Sequence, residues 1–358
     1  MSNLRSIFFA NDKDIFDLIM SNRKKLPNHL LVEMLQDYGI VVSLEESRED
    51  LATYMSTLTH DHFMLQHLME QTEKSQRSEK VASVVFNAPL TNEDLANSIA
   101  ELKRMREGTH REIYTPRLEN DGAKIPVHYE EMDYGKTRLM QRREKRAEIQ
   151  VELEGNKVVI RSPASEKGGE IVKDFIAAIE TSKKIQITTR KVELSGITSP
   201  KVRTQFFTDL INNLKDFVVT DVKSINIDRE LPDIDLDEDE DEEKKKTQFS
   251  GEVKRALLDG SGVIYSPEFK RFTDSGFYIC KIEWVAMNTS GVGSKYVFEA
   301  SLENPAEGTG FKYTVKGRYN QRQSGEFTAS RHSIDDAEKR RLLNLLEKAA
   351  WKSLEALV

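Results

Sequence analysis

The chain has 358 residues, of which 38% are hydrophobic, 32% are charged and one is a cysteine. That is long enough for two or three domains with cores of their own, and with Cys280 alone and no Cys/Cys or Cys/His pair at zinc spacing, disulfide scaffolds and structural zinc fingers are excluded. No apolar run approaches the roughly eighteen residues of a membrane span, and the opening MSNLRSIFFAND is too short for a signal-peptide core, so the expectation is a cytoplasmic protein without a membrane partner.

The net charge of −7 is unevenly spread: −5 over residues 1–110, +2 over 111–232, −6 over 233–246 and +2 over 247–358. Acidity is concentrated in the N-terminal third and in one short run, which leaves room for basic patches in the middle of the chain.

Residues 1–107 read as helical. Ile15, Phe16, Leu18 and Ile19 recur at helical intervals over Asp12 to Ser21. Pro27 suits the first turn of a second helix carrying Leu30, Leu31, Met34 and Leu35, which Gly39 stops. Ser47, with Asp50 three residues on, caps a third helix with Leu51, Tyr54, Met55 and Leu58 on its buried stripe. Another helix starts at Thr59 or Asp61, and a further one spans Thr91 to Arg106. Residues 108–146 contain Pro116, Pro126, Gly108, Gly122 and Gly135 and keep no period, so they read as an irregular, basic connector.

From Ala147 the period changes to two. Glu148 to Leu153 and Lys157 to Ile160 flank Glu154-Gly155-Asn156 and predict a hairpin. A helix over Gly169 to Thr181, a strand over Ile185 to Leu194, a helix opened by Ser199-Pro200 and a strand over Phe217 to Asp228 complete an α+β domain at 147–232. Asp233 to Lys246, DIDLDEDEDEEKKK, cannot pack a core and reads as an extended acidic linker. Beyond it, helices are predicted over Val253 to Leu258 and Ser266 to Phe272. Strands follow at Tyr278 to Met287, Lys295 to Leu302, Phe311 to Tyr319 and Glu326 to Arg331, and a C-terminal helix capped near Ser333 closes this meander of residues 247–358. The expected fold class is therefore multidomain α+β: a helical N-terminal module, then two small mixed or antiparallel sheets, each packed with helices and separated by the acidic linker.

Residues 23–58 place a short helix, a Gly-terminated turn, an extended link and a second short helix in series, resting on Leu31, Leu35, Gly39, Ile40, Leu51 and Met55. This layout resembles the SAP-like, helix-extended-loop-helix family of small modules, a resemblance that implies DNA binding. Arg23, Lys24 and Lys25 at its entry are the groups suited to phosphate, whereas the second helix carries Glu45, Glu46, Glu49 and Asp50 around Arg48.

The strongest basic signal is KTRLMQRREKR, where Lys136, Arg138, Arg142, Arg143, Lys145 and Arg146 oppose only Glu144. As a helix it would put Arg138 with Arg142, and Arg142 with Lys145 and Arg146, on shared faces that could neutralise several phosphates. Lys183, Lys184, Arg190 and Lys191 bracket the predicted strand at 185–194 as a second set, which on an edge strand serves equally to prevent aggregation.

Catalytic patterns are sparse. No P-loop is present, His60, His62 and His67 do not share a helical face as a metal site requires, and Cys280 reads as a buried strand residue. Glu268-Phe269-Lys270 has the letters of a metal-dependent nuclease but follows Ser266-Pro267 at a helix start. The leading expectation is thus a non-enzymatic protein that binds nucleic acid, DNA first, or a nucleoprotein assembly, with no cofactor and no metal. The alternative is a scaffold or adaptor recognising a protein through the acidic linker and exposed sheet edges, and the third reading is a metal-dependent nuclease.

Overall fold

The computed structural model describes residues 10–72, 79–110, 112–229, 253–289, 293–322 and 324–357. It is mixed α+β with one large antiparallel sheet. The chain clusters into two units, one of residues 1–77, 96–117 and 124–148 and the other of residues 78–95, 118–123 and 149–358.

In the first unit the helix signals become caps. Helix α1 (Asp12–Ser21) begins with a capping box in which the Asn11 side chain accepts from Asp14 N at 2.8 Å and the Asp14 carboxylate accepts from Asn11 N at 3.1 Å. Helix α2 (Asn28–Asp37) takes Pro27 as its N-cap and ends before Gly39, whose φ of +76° only glycine adopts without strain. Ser47 caps α3 (Arg48–Thr57) by accepting from Asp50 N at 3.1 Å. With α4 (His62–Thr72) and the single turn α6 (Arg138–Gln141), these helices bury Ile15, Leu18, Leu31, Leu35, Met55, Leu68 and Leu139 in one core. Arg48 is turned inward, donating to Ile19 O at 2.5 Å and Leu26 O at 2.7 Å, so it satisfies carbonyls where α1 ends and α2 begins.

The same unit contains strand β2 (Ile113–Tyr114), paired with β4 (Gly122–Met132) as Ile113↔His128 and Tyr114↔Val127. The short strand β3 (Arg117–Glu119) also pairs with β4. Beyond α5 (Asn92–His110), Arg106 holds Glu112 in a two-pronged buried pair, Nε–Oε2 2.9 Å and Nη2–Oε1 3.0 Å. The irregular connector expected at 108–146 is corrected here. Ala123, Ile125, Val127 and Tyr129 alternate into the interior along β4, and Pro126 does not interrupt them.

The second unit is built on an antiparallel run in the order β6 (Lys157–Pro163), β1 (Val81–Asn87), β11 (Lys312–Tyr319), β10 (Lys295–Ser301), β9 (Tyr278–Asn288), β7 (Phe217–Asp228), β8 (Arg255–Asp259). Gly155, at φ +64°, turns β5 (Arg142–Glu154) into β6 as the sequence predicts. The two-sheet expectation is corrected: β7 pairs with β9 from Phe217↔Asn288 to Asp228↔Tyr278, so strands on either side of the acidic run belong to one sheet. The predicted helix at 253–258 is instead strand β8, paired with β7. Residues 230–252, which include the acidic run, lie outside the described residues, but Asp228 and Arg255 on its two sides are register partners. The run is therefore an insertion in a hairpin, not a joint between sheets. Val81–Asn87, inside the stretch read as helical, is a strand paired along its length with β6. Residues 326–331 form no strand, only the isolated bridge Gln321↔Phe327.

One face of this sheet carries the core under α8 (Pro200–Asn212) and α10 (Asp336–Glu355). Trp284 stacks on Phe298 with centroids 5.4 Å apart, and Phe206, Leu210, Leu342 and Leu346 close over them. The C-terminal helix starts at the Asp335 cap, two residues past the expected Ser333. On this face Arg161 is buried between Glu347 and Glu152. The pairing register shifts between β10 and β11 and between β7 and β9. Lys223 on β7 donates to the Tyr319 hydroxyl on β11 at 2.7 Å. Elsewhere in the sheet, the buried carboxylate of Glu299 collects Lys80, Lys281 and Lys316.

Candidate functional site

The basic run at 136–146 is not one helix. Only Arg138–Gln141 is helical, and from Arg142 the chain is strand β5, because the inward alternation of Ala147, Ile149 and Val151 continues toward its N-terminus. Arg142, Glu144, Arg146 and Glu148 therefore share one face, on which the signs alternate, while Arg143 and Lys145 point to the other. The shared helical faces expected for Arg138, Arg142, Lys145 and Arg146 are corrected accordingly. Arg138 meets Asp14 at 2.6 Å, Arg142 meets Glu130 at 3.7 Å and Lys145 meets Glu131 at 2.6 Å. Lys136 and Arg146 are exposed and Arg143 half-buried, and none of the three forms an ion pair among the described residues.

The entry set also separates. Arg23 and Lys24 are exposed on the turn between α1 and α2, whereas the Lys25 ammonium donates to the Thr72 carbonyl. Of the second set, Lys183 binds Asp94 at 2.8 Å, and that ammonium, before the Thr91 N–H, holds the Asp94 carboxyl down at about 2. Lys184 is the exposed left-handed cap of α7 (Glu166–Lys183) at φ +53°. Arg190 lies over the Trp351 ring at 5.2 Å, and Lys191 is exposed on the wall of a groove. The strand expected at 185–194 is absent. The segment has no regular structure and bridges to the sheet at Val85↔Arg190.

That groove, about 820 Å³, lies in the second unit. Helix α7 forms one wall through Gly169, Lys173, Ile176, Ala177 and Glu180; residues 187–193 and 309–312 form the other, and Ala82, Val84 and Ser162 lie beneath. Besides the Arg190–Trp351 contact and the buried Val192, backbone bonds hold the wall at 187–193. Ile187 N donates to Glu180 Oε1 at 2.7 Å, Arg190 and Val85 exchange backbone bonds of 2.7 and 2.9 Å, and Leu194 N donates to Gly308 O at 2.7 Å. Gly308, at φ +69°, has no room for a side chain: a Cβ there would stand 2.6 Å from the Leu194 carbonyl carbon. Gly308→Ala is expected to cost about 2 kcal/mol in thermal unfolding and to raise proteolysis at 185–194; an unchanged melt would show that this wall is not anchored there.

The groove offers an apolar floor with rims of both signs. Lys312 faces Glu303 at 3.6 Å, Glu180 is engaged by Ile187 N, and Lys173 and Glu166 stand exposed along α7. From Glu166 to Glu180 the helix rises about 21 Å, the length of about six extended residues. Sequence reasoning reached Lys191 and nothing else of this site, whose walls come from three separated stretches.

The remaining candidates are structural. Glu268 and Lys270 occupy the first turn of helix α9 (Pro267–Asp274), not a strand beside a second carboxylate. Cys280 is buried, its thiol pushed up to about 11 first by burial and then by Asp228. His60 accepts from the Tyr38 hydroxyl through Nδ1 at 2.5 Å and donates through Nε2 to Met55 O at 2.7 Å. Among the described residues no group of three or more His, Cys, Asp or Glu is placed to hold a metal ion, and no helix is long and apolar enough to cross a membrane. No protein-family model matches the chain, and comparison with curated proteins finds no match.

Proposed function

We propose that this protein is a recognition subunit, an adaptor that binds an extended segment of a protein partner along α7. The observation that carries this reading is the groove itself. It is open along about four turns of helix, lined by the small residues Ala82, Gly169 and Ala177, and rimmed by both lysine and glutamate. A polypeptide supplies apolar side chains on one side and charges of either sign on the other, whereas a nucleic-acid backbone supplies only negative charge. In this reading the N-terminal helices serve as a module of their own, separate from the recognition unit.

The test uses the full chain. A Cβ added at Gly169 would meet open space and Ala177 is exposed, so Gly169→Leu/Ala177→Trp fills the groove without touching the core. Peptides selected from a random display library on the wild type are expected to bind the double variant about tenfold or more weakly at an unchanged melting temperature. Peptides that bind both proteins equally, or a selection that enriches none, overturn the proposal.

Nucleic acid is the second reading, favoured by Lys136, Arg143 and Arg146, which lack ion-pair partners among the described residues. Duplex DNA binding that falls steeply with salt and is lost in Arg143→Ala/Arg146→Ala would select it.

A further inference from the structure

A second groove lies in the helical unit, between α2, α3 and α4, with a volume of about 250 Å³. Its apolar lining is unusually soft: Met34, Met55 and Met64 surround Leu68, and Phe63 stands at the rim with 77% of its surface exposed. Unbranched thioethers repack around differently shaped partners, which is why methionine recurs on surfaces that accept varied apolar anchors. One wall is fixed, because His60 is bonded both to the Tyr38 hydroxyl and to Met55 O. Burial, and after it the field of Asp61, keeps the Tyr38 phenol above its ordinary value and hence neutral.

Charge identifies the occupant. Over residues 28–72 the chain carries eight carboxylates, Glu33, Asp37, Glu45, Glu46, Glu49, Asp50, Asp61 and Glu70, against no lysine and one arginine, Arg48, with His29, His60, His62 and His67 as the other basic side chains. Arg48 donates inward to Ile19 O and Leu26 O, so its guanidinium is committed to the fold. Asp37 lines the groove, and Asp61 caps α4 by accepting from Met64 N at 2.8 Å. A phosphate backbone laid against this surface would meet an excess of carboxylates with no outward lysine or arginine from residues 28–72, which opposes the DNA contact implied by the SAP-like layout.

We infer that this groove docks an amphipathic segment of a partner protein, with one large apolar side chain in the methionine pocket and lysines or arginines facing the acidic rim. The site uses other residues than the α7 groove and does not rest on it. Helix-in-groove recognition of this kind is driven by apolar anchors, with surrounding charge setting specificity and the rate of encounter.

The experiment compares two labelled peptides by fluorescence anisotropy on the full chain. Both carry leucine and phenylalanine at helical i, i+3, i+4, i+7 spacing; one has lysine at its other charged positions and the twin has glutamate. The lysine peptide is expected to bind about tenfold or more tightly than the twin, and to weaken as salt rises. Glu33→Lys/Asp37→Lys, at exposed positions, is expected to remove that preference, and Phe63→Ala to weaken the lysine peptide by about fivefold with the melting temperature unchanged. Equal binding of the twins, no binding of the lysine peptide, or binding indifferent to both variants overturns the inference. So does displacement of the peptide by duplex DNA, or sedimentation showing that this face joins two copies of the chain.

Discussion

Arg161→Leu is expected to lower the stability of the sheet-bearing unit by about 3–5 kcal/mol in urea unfolding. Arg161 and Glu347 are 4% and 2% exposed, and the guanidinium Nε lies 2.5 Å from Glu347 Oε2 while Nη1 lies 2.7 Å from Glu152. The Tyr313 hydroxyl adds a bond to Glu347 at 3.1 Å. Burial pushes the Glu347 carboxyl above its ordinary value, and Arg161 is the strongest influence pulling it back. Removing the arginine leaves a carboxylate inside the protein with one hydroxyl for company. The loss measured is therefore chiefly the cost of an orphaned charge and not the net worth of the pair. Arg161→Leu/Glu347→Leu is accordingly expected to recover most of it, which a double-mutant cycle reads directly. A single-variant loss below about 1 kcal/mol would mean that water or another cation reaches Glu347.

The second large effect is pH-dependent. Glu299 is 3% exposed, with Lys80 at 2.6 Å on one oxygen and Lys316 and Lys281 at 3.1 and 3.2 Å on the other. Burial pushes its carboxyl up, but the three ammonium groups outweigh burial and bring it from 4.5 down to about 2. A carboxyl depressed by folding contributes stability that is complete above its unfolded value and fades as pH falls through its folded one. Glu299→Gln is therefore expected to cost about 3 kcal/mol at neutral pH, and the difference from wild type should shrink between about pH 4.5 and pH 2. Urea titrations of both proteins across that range provide the check, and a difference that stays constant down to pH 2 would assign the loss to packing instead of charge.

Local chemistry made much of the fold legible. Ser47 announced a helix start, Gly155 announced a hairpin, and the alternation over 278–287 and 295–302 announced β9 and β10. What failed did so for identifiable reasons. Pro126 and its neighbouring glycines masked the alternation of Ala123, Ile125, Val127 and Tyr129, because proline weighs against a strand when its pairing is unknown. The basic letters at 142–146 hid a strand whose apolar signature begins only at Ala147. Val81, Val84, Val85 and Phe86 formed a readable β-branched and aromatic run, overlooked between helices. The joining of β7 to β9 is non-local: no residue between Phe217 and Asn288 states which strand its neighbour will be. Both grooves share that difficulty, since each wall is ordinary by itself and only tertiary packing brings the walls together.

The pairing of Asp228 with Arg255, and the bond from Arg229 N to Lys254 O at 3.0 Å, pin the two ends of the acidic insertion to one spot on the sheet. Closing a chain between fixed ends costs entropy only as the logarithm of its length, about 0.6 kcal/mol for each doubling. Growth, shortening or recharging of that stretch, nine of whose eleven residues from 233 to 243 are carboxylates, is thus nearly neutral for folding, so its length and charge can change without the sheet having to change with them.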